Sequence, residues 1–130
     1  MRAHRTAFNL TQLAILVALA AWLMAGCATV TGFVVTGESL DSVGKAFVTV
    51  GQTYNRELDA KRVTPEQYRD WAVFARKFQQ AYPSSVQLWK SAVAVNDAAL
   101  TKKTNEIITS LVTELSRLGS VVGVQVLGGT

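Results

Sequence analysis

Cysteine and histidine, the side chains best suited to thiol and imidazole chemistry, occur once each in this chain of 130 residues. Cys27 is its single cysteine and His4 its single histidine. A thiol can act as a nucleophile or accept a covalent group, and an imidazole can act as a base. Beyond Cys27 the chain contains neither group, which excludes Ser-His and Cys-His catalysis and nearly all zinc sites there. A single cysteine also excludes a disulfide within the chain.

Carboxylates remain as candidates for acid–base chemistry. Glu66 and Asp70 are four residues apart and share one face of a helix, where a pair could act as acid and base. Arg69 lies beside them, and acidic residues are favoured at a helix N-terminus, so we interpret the pair as structural. We therefore expect no enzymatic activity, no cofactor and no bound metal.

The first 27 residues have the layout of a secretory signal. Arg2 and Arg5 precede an uncharged apolar stretch at residues 10–24, and the small residues Ala25 and Gly26 follow it. The stretch has fifteen residues, fewer than the ~20 that a helix needs to span a bilayer. This segment indicates export rather than a membrane span.

Residues 24–27, Met-Ala-Gly-Cys, resemble the lipobox of bacterial lipoproteins, which is usually Leu, a small residue, Gly or Ala, and then Cys. Ala25, Gly26 and Cys27 match this pattern, whereas Met24 stands in place of Leu. The resemblance covers residues 1–27. It implies that residues 1–26 are a signal peptide, that the Cys27 thiol receives diacylglycerol and that the Gly26–Cys27 bond is cut. The new amine of Cys27 would then accept a further acyl chain such as palmitate.

The resemblance also implies a location, on the periplasmic side of a bacterial cell membrane. Each buried methylene contributes ~0.8 kcal/mol, so two or three acyl chains would hold the protein there almost permanently. Ala28 follows the cysteine, where an Asp tends to retain lipoproteins in the inner membrane, so the outer membrane is slightly favoured. Two alternatives are an uncleaved apolar anchor and an ordinary signal peptide that is cut nearby.

The charge of the chain argues against a nucleic-acid partner. The formal net charge is +4, but Arg2 and Arg5 would leave with the signal. The remaining basic pairs, at residues 61–62, 76–77 and 102–103, are spread out in a way that is typical of solvated helix surfaces. The expected partners are membrane lipid, a second copy of the chain or another envelope protein.

Apolar periodicity predicts an all-α fold, a small antiparallel three-helix bundle at residues 38–118 after an N-terminal signal or anchor helix. Residues 27–37 form a lipidated cysteine and tether. The first helix is predicted from about Glu38 to Ala60. Thr64 as N-cap and Pro65 at the first helical position begin the second helix.

The third helix is predicted from about Ala98 to Leu118, with Asn96-Asp97 as a turn or N-cap and Gly119 as C-cap. Residues 119–130 form an uncharged apolar tail whose composition is similar to that of the tether. One hypothesis is that tail and tether pack together near the membrane.

The second helix contains Pro83, which lacks an amide proton and should interrupt it. The apolar stripe nevertheless keeps its phase on both sides, which predicts one long helix kinked at Pro83, with two separate helices as the alternative. The stripe contains a candidate apolar cluster of aromatic residues, which we interpret as core rather than as a ligand cage. Its members are Trp71, Phe78, Tyr82 and Trp89.

Gly44 and Gly51 fall beside the apolar stripe of the first helix. Glycine costs a helix ~1 kcal/mol relative to alanine, so two of them suggest a close approach by another backbone. Core packing explains them most simply, and a self-association surface is the alternative.

These features favour a non-enzymatic helical interaction or scaffold module in the cell envelope. The body resembles small helical lipoproteins of bacterial and prophage genomes. One alternative is therefore a phage-type envelope lipoprotein that assists lysis or blocks a receptor. Another is a binder of a lipid or other apolar ligand, which a cavity near Trp71, Phe78 and Trp89 would favour.

Overall fold

A computed structural model describes residues 33–126. The predicted signal or anchor helix, with Ala25, Gly26 and Cys27, lies outside the described residues, as do the last four residues. Within residues 33–126 the structure has three helices and no strand, which confirms the all-α class. We label the helices α1 (Gly37–Asp59), α2 (Pro65–Ala94) and α3 (Ala98–Val121).

Each helix begins at a side chain that caps it. Thr64 and Gln67 form the reciprocal capping box before Pro65, as predicted. Asp97 accepts the amide of the third helical residue, which confirms the predicted N-cap. Thr36, which the sequence assigned to the tether, forms a second capping box with Ser39, so α1 begins one residue earlier than predicted.

Pro83 lies inside α2, which continues through it from Pro65 to Ala94. The prediction of one long helix is therefore confirmed, and the alternative of two separate helices is wrong. Pro83 is an exposed residue, and so is Gln79, whose carbonyl it leaves without an amide partner. The kink itself stays a prediction.

The prediction that the last helix ends at Leu118 with Gly119 as its C-cap is wrong. Helix α3 continues to Val121, and Val122 is the C-cap. Gly123 supplies the left-handed backbone, with φ of 74°, and the amide of Val124 returns to the Gly119 carbonyl at 2.8 Å. Gly119 is instead a buried position at which another part of the chain approaches the helix closely.

Pairs of contacts between the helices fix their directions. Leu40 near the start of α1 contacts Tyr82, whereas Asn55 near its end contacts Tyr68, so α1 and α2 are antiparallel. Helices α2 and α3 are joined by residues 95–97, and their chains still lie together at the Lys77–Glu114 ion pair. The structure is therefore an up-down-up bundle.

The tail after α3 packs against the bundle. Val126 is buried and joins the core, together with the partly buried Val122 and Val124. A Cβ on Gly119 would touch both Val126 and Val50, which places Val126 beside the second half of α1. Gly37 lies thirteen residues before Val50, or ~20 Å along the helix, so Val126 packs well away from the start of α1; contact between tether and tail stays a prediction.

No helix within residues 33–126 is long and apolar enough to cross a membrane.

Candidate functional site

The predicted lipid site, Cys27, lies six residues before Phe33, the first residue that the structure describes. An extended chain of six residues spans at most ~20 Å. Phe33 and Val35 are partly buried and pack against the core, and Thr36 caps α1 directly after them. The last part of the predicted tether is therefore a packed part of the bundle.

A continuous column of stacked rings fills the interface between α1 and α2; we call it the aromatic column. Trp71 stacks on Tyr54 with ring centroids 5.0 Å apart. Phe47 lies 5.4 Å from Trp71 and 4.2 Å from Phe78, and so joins them. Phe78 in turn stacks on Tyr82 at 4.5 Å. The rings contact one another rather than line an opening, which is the arrangement of a packed core.

Both ends of the aromatic column are tyrosines whose hydroxyls donate hydrogen bonds to helix carbonyls. Tyr54 donates to the Leu118 carbonyl at 2.7 Å, which ties α1 to α3. Tyr82 donates to the Leu40 carbonyl, which ties α2 to the first turns of α1. Burial raises the pKa of both hydroxyls, and that of Tyr82 rises to about 12, with a further contribution from the Asp41 charge.

The predicted apolar cluster only partly coincides with this column. Trp71, Phe78 and Tyr82 are buried in it, whereas Trp89 is partly buried and packs against the core further along α2. Sequence reasoning missed Phe47 and Tyr54 of α1 as ring partners. It also missed Phe74, which is buried between Trp71 and Phe78 at centroid distances of 5.9 and 5.8 Å.

The two glycines singled out in α1 have different surroundings. A Cβ on Gly51 would lie 3.3 Å from the Trp71 indole ring, so its close neighbour is a side chain, where the pattern suggested another backbone. A Cβ on Gly44 would meet nothing within 4 Å. Gly51 therefore accommodates the aromatic column. Gly44 leaves open space on the α1 surface, and self-association there stays a prediction.

The candidate acid–base pair is solvent-exposed. Both Glu66 and Asp70 are exposed in the first turns of α2, where Glu66 also lies near the positive end of the helix. The carboxylate of Glu57, in contrast, is paired: it accepts two hydrogen bonds from Arg62 at 2.6 and 3.0 Å. These bonds lower the pKa of Glu57. Within residues 33–126, no group of three His, Cys, Asp or Glu side chains is placed to hold a metal ion.

A second surface feature lies where α2 and α3 meet, at residues 88–103, which we call the α2–α3 tip. Val93 and Val95 are 45% and 72% exposed, and Leu88 is 43% exposed. An open groove of about 440 Å³ runs across the tip. Its lining residues are Val93, Asn96, Ala98, Thr101, Lys102 and Asn105. The tip is thus an apolar surface edged with polar and basic groups.

Searches of protein-family models, curated proteins and solved structures found no match to this chain.

Proposed function

We propose that this protein is a bacterial lipoprotein, anchored to the periplasmic side of a cell membrane through Cys27. In this proposal its body is a non-enzymatic helical interaction module of the envelope. The anchor supplies location, and the rigid bundle presents the same side chains to its partners at every encounter. Weak contacts gain from such tethering because the effective concentration of surface-bound partners is high.

The observation that carries the proposal is the short connection between the candidate lipid site and the folded body. Six residues separate Cys27 from Phe33, and Phe33 already packs on the core. The start of the bundle would therefore lie within ~20 Å of the bilayer surface. This connection suits a module that acts on the membrane surface, because it is too short to let the body diffuse far from the anchor.

Several polar groups of the bundle have a structural role. The buried hydroxyls of Tyr54 and Tyr82 are hydrogen-bonded to helix carbonyls. The Glu57 carboxylate is held by Arg62. These groups stabilise the bundle. In the proposed function, partners bind to the exposed surface of the helices.

One concrete form of the proposal is self-association through the α1 surface around Gly44. Val48, one turn further along α1, is 54% exposed, so the open space at Gly44 adjoins an apolar side chain. Another helix could approach closely there. In contrast, Gly51 faces Trp71 of its own chain and belongs to the fold.

Membrane fractionation of cells that express the full chain or its Cys27→Ser variant tests the anchor. We expect the unchanged protein in the membrane fraction, resistant to high salt, and the variant unprocessed or released. Equal, salt-sensitive association of both proteins would contradict the anchor.

Chemical cross-linking of Gly44→Leu in the same membranes tests self-association, with Gly51→Leu as the control for folding. We expect Gly44→Leu to remain folded and to lose any cross-linked dimer, and Gly51→Leu to lose helical stability. A dimer that survives Gly44→Leu would place the contact elsewhere.

A further inference from the structure

The α2–α3 tip lies at the end of the bundle where α1 begins. Tyr82 contacts Leu40 near the start of α1, and α2 continues for twelve residues beyond Tyr82, or ~18 Å. The tip therefore extends past the first turn of α1. Residues 33–36, which lead back towards Cys27, enter the bundle on this side.

The reach of the anchor excludes a bundle that stands on its opposite end. Phe33 would lie at most ~20 Å from a lipidated Cys27. Helix α1 has 23 residues and is ~35 Å long, so the turn at residues 60–64 lies further from Phe33 than the anchor can reach. A bundle standing on the bilayer therefore has the tip as its nearest end.

The side chains of the tip suit a lipid surface. Val95 and Val93 expose apolar groups that the bundle does not cover. Lys90, Lys102 and Lys103 are exposed within the same sixteen residues, and the one carboxylate among them, Asp97, accepts the Leu100 amide at 3.0 Å. Apolar side chains edged by lysines are the composition that enters the headgroup region of anionic membranes.

We propose that the α2–α3 tip docks on the surface of the bilayer that holds the Cys27 anchor. Val93 and Val95 enter the headgroup region, and Lys90, Lys102 and Lys103 contact anionic headgroups. The turn between α1 and α2 then points away from the membrane and is free to meet partners. This inference rests on the proposed lipid anchor, and it adds an orientation that the anchor alone does not fix.

Site-specific labelling of the full protein, purified from membranes, tests the orientation. Val95→Cys places a thiol on the tip. Val73→Cys and Val48→Cys place matched thiols at exposed positions along the sides of α2 and α1. Each variant is labelled with an environment-sensitive nitrobenzoxadiazole dye. It is then reconstituted into phosphatidylcholine vesicles that contain some phosphatidylglycerol, with and without doxyl-labelled lipid.

We expect the dye at position 95 to emit at shorter wavelength and to be quenched by doxyl-lipid several-fold more strongly than the dyes at positions 73 and 48. Changing Lys102 and Lys103 to Gln in the Val95→Cys chain should reduce that quenching, as should phosphatidylcholine alone. A water-like dye at position 95 would overturn the proposal.

Two other results would also contradict tip docking. Equal quenching at position 73 or 48 would mean that the bundle lies on its side. A blue-shifted dye at position 95 that doxyl-lipid does not quench would mean that protein, not lipid, covers the tip. The intact mass of each sample separates this inference from the anchor: a mass without diacylglycerol overturns both, whereas a lipidated sample with a water-like tip overturns docking alone.

Discussion

The aromatic column and the α2–α3 tip both contain apolar side chains, which are buried in the column and exposed at the tip. In the column, Trp71 and Phe78 are 5% and 3% exposed because α1 covers this part of α2. At the tip, α2 extends beyond the start of α1, and Val95 is 72% exposed. The cause is a difference in length: α2 has 30 residues and α1 has 23.

This difference gives the two regions different roles: the aromatic column stabilises the fold, and the tip is exposed to other molecules. Buried rings stabilise the fold by ~1.5–3 kcal/mol each, so the column holds the bundle together. Exposed valines add little to the fold, and a contiguous apolar surface is typical of an interaction site. The following four predictions test that division, beginning with the largest effect.

Replacement of Trp71 by alanine should lower the free energy of unfolding by ~3–5 kcal/mol, because it removes a ring that contacts Tyr54, Phe47 and Phe74. Urea denaturation in mild detergent, followed by circular dichroism, measures the change. Val95→Ala at the tip should stay within about 0.5 kcal/mol of the unchanged protein. Similar losses of unfolding free energy at both positions would contradict the different roles of the two regions.

Alkaline pH should lower the free energy of unfolding, in part because the Tyr82 hydroxyl loses its proton. Burial raises the pKa of this tyrosine from 10.0 to about 12, so folding favours its neutral form. Its contribution is fully present below about pH 10 and is lost as the pH rises towards 12, by ~2–3 kcal/mol. Tyr82→Phe should flatten this part of the stability–pH curve. An unchanged slope in Tyr82→Phe would contradict the burial of the hydroxyl.

Alanine at two glycines should have opposite effects. A Cβ at Gly119 would lie 2.9 Å from the Val124 carbonyl oxygen and 3.3 Å from Val50, so Gly119→Ala should destabilise the bundle by ~1–3 kcal/mol. Gly44 has open space in the middle of α1, so Gly44→Ala should stabilise it by ~0.5–1 kcal/mol. Thermal denaturation of the two variants measures both effects, and a stabilising Gly119→Ala would mean that the tail does not pack there.

Val95→Ser should be the mildest change for the fold and still a measurable one at the membrane. We expect the free energy of unfolding to move by less than about 0.5 kcal/mol. The tip should nevertheless become more accessible to water in vesicles, which hydrogen exchange of residues 93–97 would report. The matched Val73→Ser should leave that exchange unchanged, and equal exchange in both variants would argue against a membrane contact at the tip.

Periodicity and caps predicted most of the fold. The Thr64–Gln67 capping box and the Asp97 cap depend on contacts over three residues, so a single sequence reveals them. The apolar stripe keeps the same helical spacing before and after Pro83, and a break in the helix would have shifted that spacing. The stripe therefore predicted one continuous helix. The all-α class followed from the same signals.

Contacts between distant parts of the chain could not be predicted in this way. Gly119 resembles a C-cap in sequence, but its neighbours are Val50 and Val126, and only the folded chain brings these together. Phe74 is buried although the predicted apolar cluster omitted it, because α2 packs against both other helices and buries a wider face than one stripe. The exposed tip was missed because periodicity predicts the length of each helix but not how far one helix extends past its neighbour in the folded bundle.

The most direct test of the account is the intact mass of the protein purified from bacterial membranes, measured beside its Cys27→Ser variant. We expect a chain that begins at Cys27 and carries diacylglycerol, with or without a further acyl chain, and an unprocessed variant. An unmodified full-length mass in both proteins would contradict the lipid anchor, and with it the orientation of the bundle on the membrane.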